Sequence, residues 1–534
     1  MTHEHANGSL RCYNQFSRHY ENSDEMKKQL EDIAKMKFNA VWVGPLHTVG
    51  NHKKASGEFG SIYAMANAWH WRDDFFKTPD VDKQKEMIQA YTAEAKRVGL
   101  IPMFDLVLKH MAKDSILARG EDSYLRDHLH IDTRKWFKNE VTKIGSQVWD
   151  DVVPFNYDDP KICEEIIDYL WKPFIRMYID KMHDKDGNLV EGLGFEGVRI
   201  DAAQHVPAHV VKDLMHYAKR LWHEKGAKKP LIFAEVLGSK REQRDHLRWH
   251  DLHDEGISHI TNYANWLPNR HEPPRKDEQG RLLEPDCRKM KMEEFKKHFA
   301  EEKKGKDHER GEALHVVRLT PKDHIRNPAV GGTIGFADFH DEQSLARRLI
   351  DYGVSDPVEI EKAMREKIAT AAFYSDAGWL VSTGFEDADS RRRSVFDCDD
   401  NRQKKQRNAD MRPFITEINE IIEKQPALGL FNHSERLFLD EKPDLVIFKT
   451  CNNKDEHDQN PPTYLKIANI NPTQKVILKK HEIDKLARMS GKRHADDFDG
   501  IYLCGGVEIE GHERLPGANQ VIRSGSNGAA TRAR

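Results

Sequence analysis

The sequence predicts an α/β fold: a (β/α)8 TIM barrel with an insertion after strand 3 and a small C-terminal β-domain. Three observations point there. Short apolar segments alternate with helix-length amphipathic ones, the pattern of a parallel sheet wrapped by helices. Several of the apolar segments end in an ionisable residue, which in a barrel would gather those groups at one mouth. Beyond residue 426 the pattern changes to short alternating strands.

Eight strand candidates follow in order: Cys12–Phe16, Ala40–Gly44, Leu100–Val107, Phe195–Asp201, Leu231–Glu235, Ile257–Tyr263, Thr333–Phe339 and Gly378–Val381. Helices fit between them. Gln84–Val98 is stopped by Gly99, Asp159-Pro160 opens a helix reaching Met182, and Asp356-Pro357 opens one reaching Phe373. Met411–Lys424 is the last helix before the pattern changes. The catalytic barrel is therefore expected over residues 1–426, interrupted by a polar insertion at 111–154 and a charged one at 269–310. The runs EPPRKDEQG and EEKKGKDHER make the second a solvated surface excursion. Residues 427–534 form the β-domain, with strands at Asp444–Lys449 and Thr463–Asn469 and a frayed tail, SGSNGAATRAR.

Composition narrows the partners. Lys and Arg number 84 against 88 Asp and Glu, so a formal charge of −4 gives no bulk reason to bind nucleic acid or an anionic membrane. A neutral partner such as a sugar polymer fits better. Nothing in the chain speaks to its oligomeric state. The six cysteines lack CxxC pairs, which suits a reduced compartment. The start, MTHEHANGSL, has neither a basic n-region nor an apolar core, and no run approaches the ~20 apolar residues of a membrane span. A soluble chain is expected, cytoplasmic or exported without a classical signal peptide. There is no Walker A or GxSxG pattern and no GxGxxG opening a helix after a strand, so nucleotide and serine-hydrolase chemistry have no support.

The strand ends carry the chemistry. The third reads MFDLVLKH (Asp105, His110), the fourth GFEGVRID (Arg199, Asp201), the fifth LIFAE (Glu235), and the seventh leads into ADFHD (His340, Asp341). A retaining glycosidase needs one carboxylate to attack the anomeric carbon and one carboxylic acid to protonate the leaving oxygen, ~5–5.5 Å apart. Arg199, two residues before Asp201, shares its strand face and is expected to hold Asp201 in its charged form. The apolar stretch before Glu235 is expected to raise its pKa so that it keeps a proton. Singly, each acid reads as well as a helix cap, and His110 and His205 as structural histidines.

At these residues the chain resembles the α-amylase superfamily, glycoside hydrolase family 13. GVRIDAAQH is similar to that family's GxRxDAxxH signature, IFAEVLG to its acid/base strand, FADFHD to FxxNHD and FDLVLKH to DxVxNH. The resemblance implies Asp201 as nucleophile, Glu235 as acid/base and Asp341 as transition-state stabiliser. It implies Arg199, His340, His110 and Asp105 as positioning and hydroxyl-binding groups. GSIYAMAN is similar to the GxxY segment and nominates Tyr63 to stack on the reacting sugar. YNQFSRHY, FNAVWVGPL, FNYDDP, WLVSTGFED and YLKIANINP extend the likeness in the family's order over most of the chain. The implied activity is retaining hydrolysis of α-1,4-glucosidic bonds in starch, glycogen or maltodextrins. A transglycosylase or maltosyltransferase would use the same residues, and a non-catalytic glycan- or protein-binding barrel is the third reading.

Three departures matter. Lys109 stands where the family has the Asn that binds a structural calcium in many members, and an ammonium has no lone pair for a cation. No calcium and no other cofactor or metal is therefore expected. Phe339 replaces the Asn before the second histidine, and Gln204 replaces a frequent Lys. Trp69 and Trp71 read equally as sugar-stacking platforms or as core, with Trp149 and Trp266 as weaker platforms. His205 and His209 lie a helical turn apart without an HExxH pattern, and WHDLHDEGISH (His250, His253, Asp254, His259) falls in a polar loop; neither reads as a metal site.

Overall fold

The fold comes from a computed structural model, which describes residues 10–510 apart from 53–59, 141, 145–146, 184–187, 228–230, 236–258, 262–278, 282–290, 292, 295–296, 298–332, 342, 375–377, 397–403, 425–431 and 453–462. The predicted insertion 269–310 lies almost wholly outside these residues, as do Trp266, His250, His253, Asp254 and the tail.

All eight apolar segments become barrel strands: β1 (Leu10–Gln15), β2 (Ala40–Val43), β3 (Ile101–Leu106), β4 (Gly197–Ile200), β5 (Leu231–Ala234), β6 (His259–Thr261), β7 (Thr333–Phe336) and β8 (Gly378–Ser382). Each pairs in parallel with its chain neighbours, and β8 pairs back onto β1, so the sheet closes. Most of the predicted segments overshoot at their C-terminal ends, whereas the eighth stops one residue short of Ser382. Asp201, Glu235 and Phe339 lie just past the last paired residue, because inward-outward alternation continues beyond the ladder.

Two apolar layers hold the barrel. Its interior is filled by Cys12, Ala40, Trp42, Met103, Leu231, Phe233, Ile334, Phe336 and Leu380. Gly197 is required here: a Cβ would lie 2.7 Å from Met103 Cγ and 3.0 Å from the Leu231 carbonyl. The outer layer joins the opposite strand faces to the helices, among them α1 (Val81–Arg97), α2 (Ala208–Glu224), α3 (Pro357–Tyr374) and α4 (Arg412–Lys424). Asp80 caps α1, and Gly99, at φ +85°, stops the chain after it. Asp159 caps the helix beginning at Pro160, which passes through a π-turn at Ile167–Trp171 and ends at Ile179, short of Met182. There Lys181–His183 leaves the helix to pair with Leu189–Glu191.

The insertion after β3 has an apolar centre of its own, contrary to its polar reading. His110–Ala112 pairs antiparallel with Val152–Pro154, and Met111, Leu117 and Trp136 are fully buried beside it. At the other end of the chain, β9 (Asn432–Leu437), β10 (Leu445–Asn452), β11 (Thr463–Asn469) and β12 (Gly500–Cys504) form a mixed sheet, followed in space by α5 (Lys480–Met489). Among the described residues no helix is long and apolar enough to cross a membrane.

This sheet packs on α3 through buried charge. Arg436 meets Glu366 at 2.8 Å, while Lys466, fully buried, donates to the Phe373 carbonyl at 3.3 Å and lies 5.7 Å from the Phe373 ring centre. Burial lowers the Lys466 ammonium to about 7. An unfolded lysine titrates near ~10.4, so the unfolded chain binds more protons between these values, and stability rises with pH across that window. Replacing Lys466→Met removes the burden. Thermal or urea unfolding should show stabilisation on the order of 3 kcal/mol below about pH 7, shrinking towards pH ~10.

Candidate active site

The alternation that fills the barrel base with apolar side chains turns ionisable at the top. Met103 is followed two residues on by Asp105, Gly197 by Arg199 and then Asp201, Phe233 by Glu235, and Phe336 by Asp338 and His340. These positions face one mouth, where Arg199 is the centre.

The Arg199 side chain has no exposed surface. Its Nη1 donates to Asp105 Oδ1 at 2.8 Å and to Asp201 Oδ1 at 2.6 Å, and its Nη2 lies 2.7 Å from Glu235 Oε2. The guanidinium plane is also held by rings, with its carbon 4.8 Å from the Trp42 ring centre and 5.6 Å from that of Tyr63. Asp105 accepts from Trp42 Nε1 at 3.1 Å and from the Tyr63 hydroxyl at 3.3 Å. Tyr63 in turn meets His340 Nε2, and that nitrogen lies 3.2 Å from Asp341 Oδ1. A continuous polar chain thus joins Asp201 and Glu235 through Arg199, Asp105, Tyr63 and His340 to Asp341.

The backbone sets Glu235 against Asp201. Ala202 adopts φ +43°, a left-handed conformation costly for a residue with a Cβ. That turn points the Ala202 N–H at Glu235 Oε2, 2.9 Å away. The other oxygen, Oε1, is buried and has no hydrogen-bond partner among the described residues. One Glu235 oxygen is therefore anchored and the other left for a ligand.

The protonation states differ in a useful way. Burial raises the Glu235 carboxyl to about 7, with Asp201 and Asp341 adding to the rise and Arg199 and the Ala202 N–H opposing it. Asp105 is likewise raised to about 7 by burial, with Asp201 adding to the rise and Arg199 pulling it back. One guanidinium cannot neutralise three carboxylates, so a proton stays in the cluster near neutral pH. Asp341 goes the other way: burial pushes it up, but His340, Arg199 and Arg393 outweigh this and leave it below the usual carboxylate range. Its side chain keeps 42% of its surface open to the mouth. His110 is lowered by burial, against the pull of Asp201, Asp151 and the Tyr63 backbone, and lies edge-on to Trp149.

Of the sequence-nominated residues, Asp105, Arg199, Asp201, Glu235, Tyr63, His340 and Asp341 come together, with His110 beside them. Trp71 does not belong: it is fully buried, its indole N–H 3.4 Å from the Tyr178 hydroxyl and its ring against His47. It is core, because the chain after Tyr63 turns inward there. Trp69 is half-buried and packs on the same core. Two residues were missed. Trp42 lies inside a wholly apolar strand, where only its inward parity with Ala40 hints at its place beneath Arg199. Arg393 sits on the loop after β8 and binds Asp338 at 3.0 Å, in an RRR run that reads as surface charge. Among the described residues no cluster of His, Cys, Asp and Glu is arranged to hold a metal ion.

Removing the guanidinium leaves three buried carboxyls facing one another. Arg199→Met should lower stability by about 3–5 kcal/mol. The carboxyl pKa values would rise further, so the loss should be larger at about pH 8 than at about pH 5, as thermal denaturation at the two values would show.

Residues 6–128 match the family model described as glycogen debranching enzyme, glucanotransferase domain. No curated protein matches the sequence. Solved structures resemble the fold at low identity. An α-amylase from Geobacillus thermoleovorans, complexed with acarbose, shares 15% identity at a TM-score of 0.51, over 83% of this chain and 84% of its own. An α-amylase from Lactobacillus plantarum shares 17% at 0.51, over 83% and 87%. The cyclic α-maltosyl-(1→6)-maltose hydrolase of Arthrobacter globiformis shares 13% at 0.51, over 83% and 91%. The chain thus has the fold of the α-amylase superfamily, and its N-terminal part matches the glucanotransferase domain of glycogen debranching enzyme.

Proposed function

We propose that this protein is a retaining α-glucan hydrolase acting on α-1,4-linked glucose in starch, glycogen or maltodextrins. The observation behind this reading is the shared grip of Arg199 on Asp201 and Glu235, with one Glu235 oxygen anchored and the other free. Two carboxyls held on one guanidinium support this reading, since a retaining pair needs its acids close together. Glu235, raised to about 7, gives its proton to the glycosidic oxygen. Asp201 attacks the anomeric carbon as the bond to that oxygen breaks, forming a glycosyl-enzyme. Asp341, held ionised, faces the positive charge that develops on the ring. Glu235, now a carboxylate, takes a proton from the incoming water, and the oxygen of that water displaces Asp201. Tyr63 offers its ring to the sugar in this reading, while His110 and His340 hold its hydroxyls.

A second reading replaces water by a sugar hydroxyl and gives a glucanotransferase or maltosyltransferase. The match of residues 6–128 to a glucanotransferase domain favours it. Chromatography of the products from a maltooligosaccharide separates the two. Free glucose or maltose supports hydrolysis, and chains longer than the substrate support transfer.

Asp201→Asn should lower turnover by at least ~10³-fold. Equal rates for the two proteins would reject Asp201 as nucleophile. Because Glu235 works protonated, kcat/KM for the wild-type protein should fall about tenfold per pH unit above about 7. Glu235→Gln should abolish this limb together with most of the activity. Calcium is not part of the proposal, since Lys109 replaces the family's Asn and its ammonium has no lone pair to offer a cation. Turnover unchanged by a chelator is the expected outcome; restoration by added calcium would contradict it.

A further inference from the structure

The segment that presents His340 and Asp341 is tied down from the loop after β8. Phe339 is buried against Trp42 and Phe336 and offers only its backbone for polar contact. The grip comes from Arg393, on the chain after β8, whose side chain is 1% exposed. Its Nη1 donates to the Phe339 carbonyl at 2.9 Å. Its Nη2 donates to Asp338 Oδ2 at 3.0 Å and to the Thr383 carbonyl at 3.3 Å. The second Asp338 oxygen accepts the Phe339 N–H at 2.9 Å. The Arg393 backbone adds two more bonds, its N–H to Gln343 Oε1 at 3.0 Å and its carbonyl from Gln343 Nε2 at 2.7 Å. Both flanks of the His340-Asp341 dipeptide are therefore tied to one residue. Two positions on, the Val395 carbonyl accepts the Ile62 N–H at 3.0 Å, and the Val395 side chain packs with Tyr63, Phe16 and Val107.

We propose that Arg393 is a positioning residue for the reaction: by clamping the Asp338–Gln343 segment to the end of β8, it fixes the direction in which Asp341 faces the anomeric centre and joins that direction to Tyr63. The inference rests on the α-glucan reading for its substrate but not for its geometry. The Arg393 charge also helps hold the Asp341 carboxylate down, so its removal reaches the protonation of Asp341 as well as its place. A buried planar fork with three separate acceptors cannot be replaced by an ammonium without loss.

The test uses the full chain and maltooligosaccharide substrates across the pH range. Arg393→Met should lower kcat roughly 10- to 100-fold with KM within about threefold, because the missing interaction matters most when charge develops. The acid limb of kcat/KM should move up by about half a pH unit or more as Asp341 loses a nearby cation. Arg393→Lys, keeping the charge but not the fork, should keep the limb and recover part of kcat. Gln343→Leu should lower kcat without moving the limb, which covers the case of an Arg393 variant that does not fold. A rise in KM alone, or a loss matching the unfolded fraction with an unmoved limb, would overturn the proposal. If Asp201→Asn shows that the glucan reading itself is wrong, the clamp is judged by the His340 ring resonances, followed by NMR in histidine-labelled protein at fixed pH. Displaced resonances in Arg393→Met support the clamp, and unchanged ones refute it.

Discussion

Everything at the barrel mouth depends on a single buried cation. Arg199 enters from β4 with no exposed surface and binds groups carried by three adjacent strand ends, those of β3, β4 and β5. Unpaired carboxylates at this depth would be expelled or neutralised, and an unpaired guanidinium would be equally unstable. Each makes the burial of the other possible. The aromatic walls, Trp42 below and Tyr63 beside, deny water to the cluster and so strengthen every interaction within it.

An imbalance in that cluster makes it chemically interesting. Three carboxyls share one guanidinium, so the last proton is hard to remove, and Glu235 is one of the groups raised to about 7. The strained turn at Ala202 decides which Glu235 oxygen is bound and which is free. Asp341 reaches the same centre by another route, through His340 and Tyr63, and stays ionised at the more open edge. Similar acids, placed a few residues beyond strand ends, thus acquire different proton affinities from burial and partners alone.

Around this centre the fold couples neighbouring loops. Arg393 ties the ends of β7 and β8, and the chain just beyond it reaches the Tyr63 segment. Behind the barrel, α3 meets the C-terminal sheet through Glu366, Arg436 and Lys466, an unusually polar contact for so buried a place. One part of the molecule gathers buried carboxyls around a shared guanidinium, and the other sets a buried ammonium against a carbonyl and the Phe373 ring.

The sequence by itself determined the strand list, the helix starts at Asp159 and Asp356, and the acids that cluster. Local rules govern these: alternation with period two decides which side chains face the barrel interior, and an Asp before a helix satisfies its first N–H groups wherever the helix packs. Tertiary structure decided what no local rule contains. Trp71 and Trp69 sit in the same polar-aromatic run as Tyr63, yet only Tyr63 reaches the mouth, because burial depends on where the chain turns. Trp42 looked like any apolar strand residue until Arg199 lay over it, and Arg393 like surface charge until Asp338 and Phe339 came within reach. The insertion after β3 read as polar because its apolar residues are spaced irregularly and find one another only through pairing of distant ends, His110–Ala112 with Val152–Pro154. The physical reason is the same throughout: period and caps act within a few residues, whereas burial and charge compensation act between segments that sequence keeps far apart.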